Sequence, residues 1–424
     1  MTGDTMSSMT PNGISYLKGP ANQPLLSETI GQCLDRITAG HPDHEALVVR
    51  HQGIRWTYAE YLHEINRLAT GLLNLGVKPG DRIGIWSPNR VEWCLTQFAS
   101  AKIGAIMVCI NPAYRLYELE YALNKVACNV IISAERFKTS EYLTMLNQLA
   151  PELQHCAPGQ LNAAKLPHLS TVIRMGDTAS PGMYNFDAVC RLGTESDYSR
   201  LQALSQQLQP TDAINIQFTS GTTGSPKGVE IPVKALASFV AYMRFGLDVR
   251  DDDVYWNMAD PGWAYGLFYA LVGPLLLGNA TLFFNAPFDV SATYRILETY
   301  GVTNLTTAPT VFRMMRAAGD QVIPADTSSL RLASCAGEPL NPDVVRWGRD
   351  QLGVPIHDHY GQTEGGMMVC NHHFPELQRS IVPGSMGHTM PGFRIVILNS
   401  DGDELEAGEE GQLAVDTQAS PLFW

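Results

Sequence analysis

The sequence predicts an α/β protein that has two doubly wound, mostly parallel sheets with flanking helices, followed by a small C-terminal antiparallel β-barrel-like subdomain. Two observations lead to this prediction. Short apolar strands alternate with amphipathic helical stretches up to about residue 383, which is typical of parallel α/β units. From Ser385 onward, two strands instead flank a turn at residues 399–402, a pattern that favours an antiparallel sheet. The 424 residues, 45% of them hydrophobic, suffice for more than one packed core.

The first α/β subdomain is predicted to cover residues 26–205, behind a tail at residues 1–25. Its helical pattern is clearest in residues 58–75, where leucine and isoleucine recur every three or four positions. A looser polar stretch, residues 175–210, follows as a connector. The predicted strands are Arg82–Trp86, residues 105–109 and Val130–Ser133.

The second α/β subdomain is predicted to cover residues 206–383. A strand at residues 215–218 opens it, a loop rich in glycine and threonine follows, and a helix at residues 233–245 comes next. Residues 384–424 form the β-rich subdomain, with strands at residues 394–398 and 411–415. Further parallel strands are expected at residues 281–284, 304–307, 330–334 and 356–359, and helices at residues 290–300, 309–318 and 342–352.

The composition argues against several classes of partner and compartment. A formal net charge of −13 disfavours nucleic acids, whose phosphates are bound by clustered lysine and arginine. Eight cysteines stand singly along the chain, which is typical of free thiols, so we expect a cytoplasmic protein. The first 20 residues contain one basic residue, Lys18, and no apolar core, so no targeting segment is apparent. Glycines and a proline interrupt the uncharged run at residues 265–284, which favours a buried helix, turn and strand over a membrane span.

One segment is suited to holding phosphate. Residues 219–228 read TSGTTGSPKG and lie between a predicted strand and a predicted helix. The glycines allow backbone N–H groups to approach an anion, while the hydroxyls and Lys227 add donors and a positive charge. The pattern differs from the GxxxxGK[ST] loop of P-loop NTPases. The residues expected to contact phosphate are Thr219, Ser220, Gly221, Thr222, Thr223, Gly224, Ser225 and Lys227.

This segment resembles the phosphate loop of the adenylate-forming superfamily, which includes acyl-CoA synthetases, luciferases and peptide-synthetase adenylation domains. Three further segments agree with that family in order and spacing. Residues 334–340, SCAGEPL, resemble the turn that flanks the adenine, and residues 358–364, DHYGQTE, resemble the motif for adenine stacking and metal binding. Residues 384–387 with 391–392 resemble a later glycine-rich motif. The resemblance covers essentially the whole chain.

The resemblance implies that the chain binds ATP and Mg²⁺. Tyr360 offers a ring face on which a purine can stack. Glu364 is expected to supply an oxygen ligand for Mg²⁺. Lys227 and Thr363 are expected to contact phosphate oxygens, so Lys227, Thr363 and Glu364 form the predicted catalytic set. The residues assigned to the nucleotide by these two motifs are Gly337, Glu338, Pro339, Asp358, His359, Tyr360, Gly361, Gln362 and Thr363.

Residues 259–266, ADPGWAYG, resemble the acyl-pocket segment of short- and medium-chain acyl-CoA synthetases. Trp263, followed by Ala264, is here either a wall of an apolar tunnel or a plain core residue. Gly361 stands where acetate-specific relatives place a bulky tryptophan, which implies a tunnel open to longer acids. Residues up to about 210 resemble a medium-chain fatty acyl-CoA synthetase and those from Tyr255 resemble acetyl- and butyryl-type enzymes, so natural divergence and a chimera both stay open. The implied substrate is a short- to medium-chain monocarboxylic acid.

Two other kinds of catalytic site fit the sequence less well. His357 and His359 flank Asp358, and His372 adjoins His373, but their spacing matches no tetrahedral zinc set with a nearby cysteine pair. We interpret them as strand-end and loop histidines. The sequence also lacks the GxSxG elbow of serine hydrolases.

The implied reaction joins the acid to AMP with release of pyrophosphate and then passes the acyl group to coenzyme A. The family continues through a mobile domain that carries a catalytic lysine, whereas the last lysine of this chain is Lys234. We therefore expect a fragment in which adenylation is slow and thioester formation is lost. The alternatives are a ligase that uses a carrier-protein or other acceptor, a fragment that binds ATP and acid without turnover, and a structural protein, which the intact loop disfavours. The sequence does not predict the oligomeric state.

Overall fold

The computed structural model describes residues 28–219, 225–319, 322 and 326–424. The predicted tail at residues 1–25 lies outside this part of the chain. The helices are α1 (Ile30–Gly40), α2 (Tyr58–Asn74), α3 (Val91–Lys102), α4 (Leu116–Lys125), α5 (Tyr142–Leu149), α6 (Phe186–Leu192), α7 (Tyr198–Ser205), α8 (Leu236–Ala241), α9 (Ala264–Gly266), α10 (Gly273–Leu277), α11 (Val290–Tyr300), α12 (Pro309–Ala317) and α13 (Pro342–Trp347).

The strands alternate with these helices along most of the chain. They are β1 (Glu45–Val49), β2 (Ile54–Thr57), β3 (Arg82–Trp86), β4 (Ile106–Cys109), β5 (Val130–Ser133), β6 (Thr171–Arg174), β7 (Met183–Asn185), β8 (Ala213–Thr219), β9 (Lys227–Pro232), β10 (Tyr255–Asn257), β11 (Thr281–Phe283), β12 (Asn304–Thr307), β13 (Leu332–Ala336), β14 (Ile356–Gln362), β15 (Gly366–Cys370), β16 (His388–Thr389), β17 (Ile395–Leu398) and β18 (Gln412–Val415).

The described chain folds into two compact units, each discontinuous in sequence. The first comprises residues 28–233 and Val254–Phe288, and the second comprises Lys234–Asp253 and Asp289–Trp424. The linear division predicted from the sequence, with boundaries at residues 205 and 383, differs from this one. The reason is long-range strand pairing: β8 joins β4, and β11 joins β1, both in parallel. These pairings bring residues 206–233 and 254–288 into the first unit.

The first unit is built on a seven-stranded sheet with the order β7-β6-β5-β3-β4-β8-β9, parallel except for β9. A second sheet of three strands has the order β11-β1-β2. The strand predicted at residues 281–284 is therefore present as β11, but it pairs with β1, Leu47 lying opposite Thr281, and not with the later strands. Helix α3 is buried along its whole length, so it lies in the core of this unit.

Helix α2 shows how the local sequence sets these elements. The Thr57 hydroxyl accepts the Glu60 N–H over 3.3 Å, and the Glu60 carboxylate accepts the Thr57 N–H over 2.8 Å. This reciprocal cap satisfies two backbone N–H donors at the helix start. Tyr61, Ile65 and Leu68 are then buried on one face, at the spacing that predicted the helix.

The second unit has a sheet in which β12, β13 and β14 are parallel and β15 and β16 follow in antiparallel pairing. Strands β17 and β18 form the small antiparallel sheet predicted near the C-terminal end. The predicted fold class is confirmed in both units.

The uncharged run at residues 265–284 folds as most of α9, a wide helical turn at Leu267–Val272, α10 and then β11. This is the buried helix, turn and strand that the sequence predicted. Among the described residues, no helix combines the length and the apolar character that crossing a bilayer requires.

Candidate functional site

The predicted phosphate loop connects two antiparallel strands of the first unit. β8 ends at Thr219, β9 begins at Lys227, and these two residues lie opposite each other. The helix predicted at residues 233–245 is present as α8 with a helical turn on each side of it. The sequence missed strand β9, which lies between the loop and that helix and pairs in antiparallel register with β8. Residues 220–224 lie outside the described part. Ser225 and Lys227 are exposed, so their side chains are accessible to a phosphate.

β8, the strand that ends where this loop begins, lies one strand away from β3, at which the strand order of the first unit's sheet reverses. β4 lies on one side of β3 and β5 on the other. Open α/β sheets bind ligands in the crevice at such a point. β8 runs parallel to β4, with Gln217 opposite Cys109, so the carboxyl ends of these two strands lie side by side.

The predicted acyl segment, residues 259–266, forms a tight turn before helix α9. The Trp263 N–H donates to the Asp260 carbonyl over 3.0 Å, and the Gly262 N–H donates to the Asp260 carboxylate over 2.7 Å. A Cβ on Gly262 would lie 2.6 Å from Cδ of Pro112, and one on Gly266 would overlap the Asp260 carbonyl oxygen. Trp263 is 53% exposed. Plain core packing is thus the wrong interpretation of this tryptophan, and the tunnel wall stays a prediction.

A buried amide joins this turn to the strand that leads to the phosphate loop. Gln217 is 1% exposed and donates from Nε2 to the Gly262 carbonyl over 2.7 Å. The structure thereby brings Trp263 and the partly exposed Ala264 to the same edge of the first unit as Thr219. Sequence reasoning missed Gln217, because a polar strand residue whose partner lies 45 positions away gives no local signal.

The acyl segment also carries a carboxyl group with an altered proton affinity. Removal from water raises the pKa of Asp260 to about 6, although the hydrogen bond from the Gly262 N–H favours its ionised form. A group that exchanges its proton just below neutral pH therefore lies one turn away from Trp263.

In the second unit, the two predicted nucleotide motifs follow neighbouring parallel strands. Cys335 lies opposite Asp358, and Ala336 lies opposite His359, so the turn after β13 begins beside β14. Gly337 has a φ of 101° and no atom within 4 Å of the position of a Cβ. The backbone conformation, and not a shortage of space, therefore requires glycine there. In this turn, Gly337, Glu338 and Pro339 are exposed.

Two acidic residues of these motifs already have protein partners. The Glu338 carboxylate accepts the Thr310 hydroxyl over 2.7 Å and also pairs with Arg313, and these hydrogen bonds hold its pKa below the usual range. Asp358 is buried and accepts the Leu340 N–H over 3.3 Å. Burial raises the pKa of Asp358 to about 6. Asp358 therefore connects β14 to the turn after β13.

His359, predicted among the nucleotide residues, lies in the interior of the second unit with 2% exposure. Its Nε2 donates to the Asn371 carbonyl over 3.0 Å, and its Nδ1 accepts the Tyr242 hydroxyl over 2.7 Å. Both ring nitrogens are thus engaged, which leaves only the backbone of His359 for a contact with a nucleotide.

The histidine cluster of the second unit is better described as a polar core than as a metal site. His357, His359 and His373 offer nitrogens within 4.8 Å of one another. However, the rings of His357 and His373 stack, with centroids 3.6 Å apart and planes 12° apart. The lone pairs of two stacked rings lie in parallel planes and cannot converge on one ion. His357 Nδ1 instead donates to the Asn371 carbonyl, and His373 Nε2 pairs with the Ser334 hydroxyl over 2.9 Å.

These buried histidines predict a loss of stability in acid. Burial lowers the pKa of His357 to about 4, and it lowers the pKa values of His359, His372 and His373 as well. The unfolded chain takes up protons on these groups below about pH 6.5, whereas the folded chain does not, so unfolding becomes easier as the pH falls through 6.5. The raised pKa values of Asp358 and Asp260 act in the opposite sense below pH 6, but four histidines outweigh these two carboxyl groups.

We expect the urea midpoint to be lower at pH 5.5 than at pH 7.5. His357→Asn keeps a donor for the Asn371 carbonyl but removes the titrating ring. Between pH 7.5 and pH 5.5, the free energy of unfolding of this variant should fall by about 1 kcal/mol less than that of the parent, because the unfolded variant takes up one proton fewer. Replacing the exposed His168 by asparagine is the matched control. Equal pH dependence in the parent and His357→Asn would contradict the assignment of a buried neutral His357.

The hairpin formed by β14 and β15 carries the remaining predicted residues. Tyr360 is partly exposed on β14, and a β-bulge separates it from Gly361. Gln362 ends β14, and Thr363 and Glu364 form the turn before β15. The Glu364 side chain is exposed at the tip of this turn, where a carboxylate is open to an ion or a ligand.

Gly361 has a packing reason to be glycine that is independent of any substrate tunnel. A Cβ at this position would overlap the Gly366 carbonyl oxygen and lie 2.6 Å from Sδ of Met367. Both atoms belong to the facing strand of the same hairpin. The absence of a bulky side chain at residue 361 therefore does not, by itself, establish an open tunnel.

Comparison with known proteins supports the family predicted from the motifs. The model of a family described as AMP-binding enzyme matches residues 34–420. The chain is 35% identical over 409 residues to the mitochondrial medium-chain acyl-CoA ligase ACSF2 of Danio rerio, covering 95% of this chain and 66% of that protein. It is 32% identical over 366 residues to an acetyl-coenzyme A synthetase of Bacillus subtilis, covering 85% of this chain and 59% of that protein. A crystal structure of a Brucella canis acyl-CoA synthetase superposes with a TM-score of 0.80 at 33% identity, covering 95% of this chain and 70% of that one. The chain thus spans slightly less than two thirds of the length of the first of these relatives.

Proposed function

Since this chain belongs to the AMP-binding enzyme family, we propose that it activates a short- to medium-chain carboxylic acid with ATP and Mg²⁺ to an acyl-adenylate. The acyl group would then pass to the thiol of coenzyme A, with release of AMP. The names of the relatives, a medium-chain acyl-CoA ligase and an acetyl-coenzyme A synthetase, support this range of acids.

One observation carries the proposal. In the first unit, the strand that ends at Thr219 is hydrogen-bonded through Gln217 to the backbone directly before Trp263. The strand end that precedes a loop suited to phosphate, and a turn that presents an exposed aromatic ring, therefore lie at one edge of the sheet. An enzyme that joins a carboxylate to a nucleotide phosphate needs these two groups near each other and in fixed orientation.

The first half-reaction can be written with the residues of each unit. A carboxylate oxygen of the acid forms a bond to the α-phosphorus of ATP, and the bond from that phosphorus to the bridging oxygen of pyrophosphate breaks. In the first unit, Lys227 and the loop hydroxyls would hold the β- and γ-phosphates and stabilise the charge on the leaving group. In the second unit, the Thr363 hydroxyl would donate to the α-phosphate.

The second unit also offers groups for the adenine and for the magnesium ion. Tyr360 would stack on the purine, with the exposed turn of Gly337, Glu338 and Pro339 on its other side. Glu364 fits Mg²⁺, since its exposed carboxylate is a hard oxygen ligand and this ion takes one or two protein carboxylates together with phosphate oxygens and water. When bound, the ion would neutralise charge on the phosphates.

The experiment is to measure pyrophosphate release by the purified chain with ATP and Mg²⁺ across straight-chain acids from acetate to laurate. We expect release that requires the acid and is greatest at an intermediate chain length. Binding of ATP without release would favour the alternative of a binding fragment. Release that does not depend on any acid would contradict the proposal and indicate an ATPase. Adding coenzyme A in a second series, with thioester detection, tests the acceptor.

A further inference from the structure

The buried side-chain amide of Gln217 is hydrogen-bonded to the backbone of the acyl segment, residues 259–266. Its Nε2 donates to the Gly262 carbonyl, and its Oε1 is buried without a hydrogen-bond partner among the described residues. The bond to the residue before Trp263 is therefore the one hydrogen bond that the described structure gives to this side chain. A side chain with a buried unsatisfied oxygen costs stability, which indicates that the glutamine has a purpose other than packing.

The turn that receives this hydrogen bond has little freedom of its own. Pro112, in the loop after β4, lies against Gly262, where even a Cβ would come within 2.6 Å of its ring. The Asp260 carboxylate accepts the Gly262 N–H. Gln217 and Pro112 thus hold the turn from two neighbouring strands, β8 and β4, whose carboxyl ends lie side by side. The Cα atom of Trp263, the next residue, is held in place with this backbone.

We infer that Gln217 is a positioning residue for the acid: it holds the Trp263 turn in register with the strand that leads to the phosphate loop. This inference rests on the proposed function. Gln217 itself does not contact the reacting atoms. Its removal should let the turn shift, so that the acid binds more weakly and chain-length preference broadens, while ATP binding is retained. A displacement of about 1 Å at a reacting group is enough to reduce rates up to a hundredfold.

The test replaces Gln217 by methionine, which has a similar length and no hydrogen-bonding amide. We expect the KM for the preferred acid to rise about tenfold, with the KM for ATP within about twofold of the parent. The matched control is Gln97→Met, which breaks the buried amide pair between Gln97 and Asn215 on the same strand β8. Gln97→Met should lower stability, but it should not raise the KM for the acid relative to the KM for ATP. Gln217→Leu, which also lacks a hydrogen-bond donor, serves if the methionine variant does not fold.

A binding measurement separates this inference from the proposed function. The fluorescence of Trp263, taken as the difference between the parent and Trp263→Phe, should change when acid is added, and Gln217→Met should shift that titration to about tenfold higher acid. A parent chain that shows acid-dependent pyrophosphate release, together with a Gln217 variant whose KM and titration match the parent, would overturn the positioning role alone. A parent chain with no response to acid in either assay would overturn both the inference and the proposed function.

Discussion

Replacing Lys227 by alanine should lower the rate of acid-dependent pyrophosphate release by about a hundredfold to a thousandfold, equivalent to about 3–4 kcal/mol of transition-state stabilisation. Lys227 begins β9, opposite Thr219 at the other end of the loop, and its side chain is exposed. Its ammonium group would neutralise charge that grows on the departing pyrophosphate, so the effect should fall mainly on kcat. Steady-state kinetics with saturating acid and varied ATP measure this.

Lys165→Ala is the matched control, since Lys165 is exposed and lies in the first unit outside the candidate site. It should leave kcat and both KM values unchanged. Thermal unfolding of the two variants should match the parent, because neither side chain is buried. If Lys227→Ala retains full activity, the loop does not act on the phosphates in the way proposed.

Replacing Gly361 by alanine should destabilise the second unit by about 1–3 kcal/mol, the usual cost of inserting an extra group into a packed structure. The added Cβ meets the backbone carbonyl oxygen of Gly366 and the buried Met367 on the facing strand. Neither group can easily move away. The free energy of unfolding, from urea titration at pH 7.5, measures the effect. Gly361→Trp should be at least as destabilising.

Gly40→Ala is the control for this prediction. Gly40 ends α1, and a Cβ there has no atom within 4 Å, so the change should stay within about 0.5 kcal/mol. The family resemblance alone predicts a different result for Gly361→Trp, namely a normal fold with a preference for shorter acids. If stability is unchanged and only the chain-length profile moves, the packing explanation of Gly361 is wrong.

Elements with strong local signals were predicted well from the sequence. The helix at Val290–Tyr300 matches its predicted bounds, because the apolar spacing and the Asp289 cap both mark its start. The strand β9 was missed because its Lys, Gly and Glu residues are weak strand formers, and it is held instead by pairing with β8. The partners of β11 could not be predicted, since Leu47 and Thr281 lie far apart in sequence.

Residues of the candidate site were predicted from the sequence only where they belong to a recognisable local motif. The glycines, hydroxyls and Lys227 of the phosphate loop identify it without any structure. Residues that act through distant partners were not found: Gln217 contacts Gly262, and His359 proves to be a buried link to Tyr242 and Asn371. Burial and tautomer, which decide the role of a histidine, are properties of the folded chain.

The most direct test of adenylate formation is whether a carboxylate oxygen of the acid is transferred to AMP. The chain is incubated with ATP, Mg²⁺, hydroxylamine as acyl acceptor, and a medium-chain acid labelled with ¹⁸O in its carboxylate, and the AMP produced is analysed by mass spectrometry. Attack of the carboxylate on the α-phosphorus predicts AMP that carries one ¹⁸O atom, together with unlabelled pyrophosphate. Label in inorganic phosphate, or AMP without ¹⁸O, would show that the acid does not attack the α-phosphorus and would contradict adenylate formation.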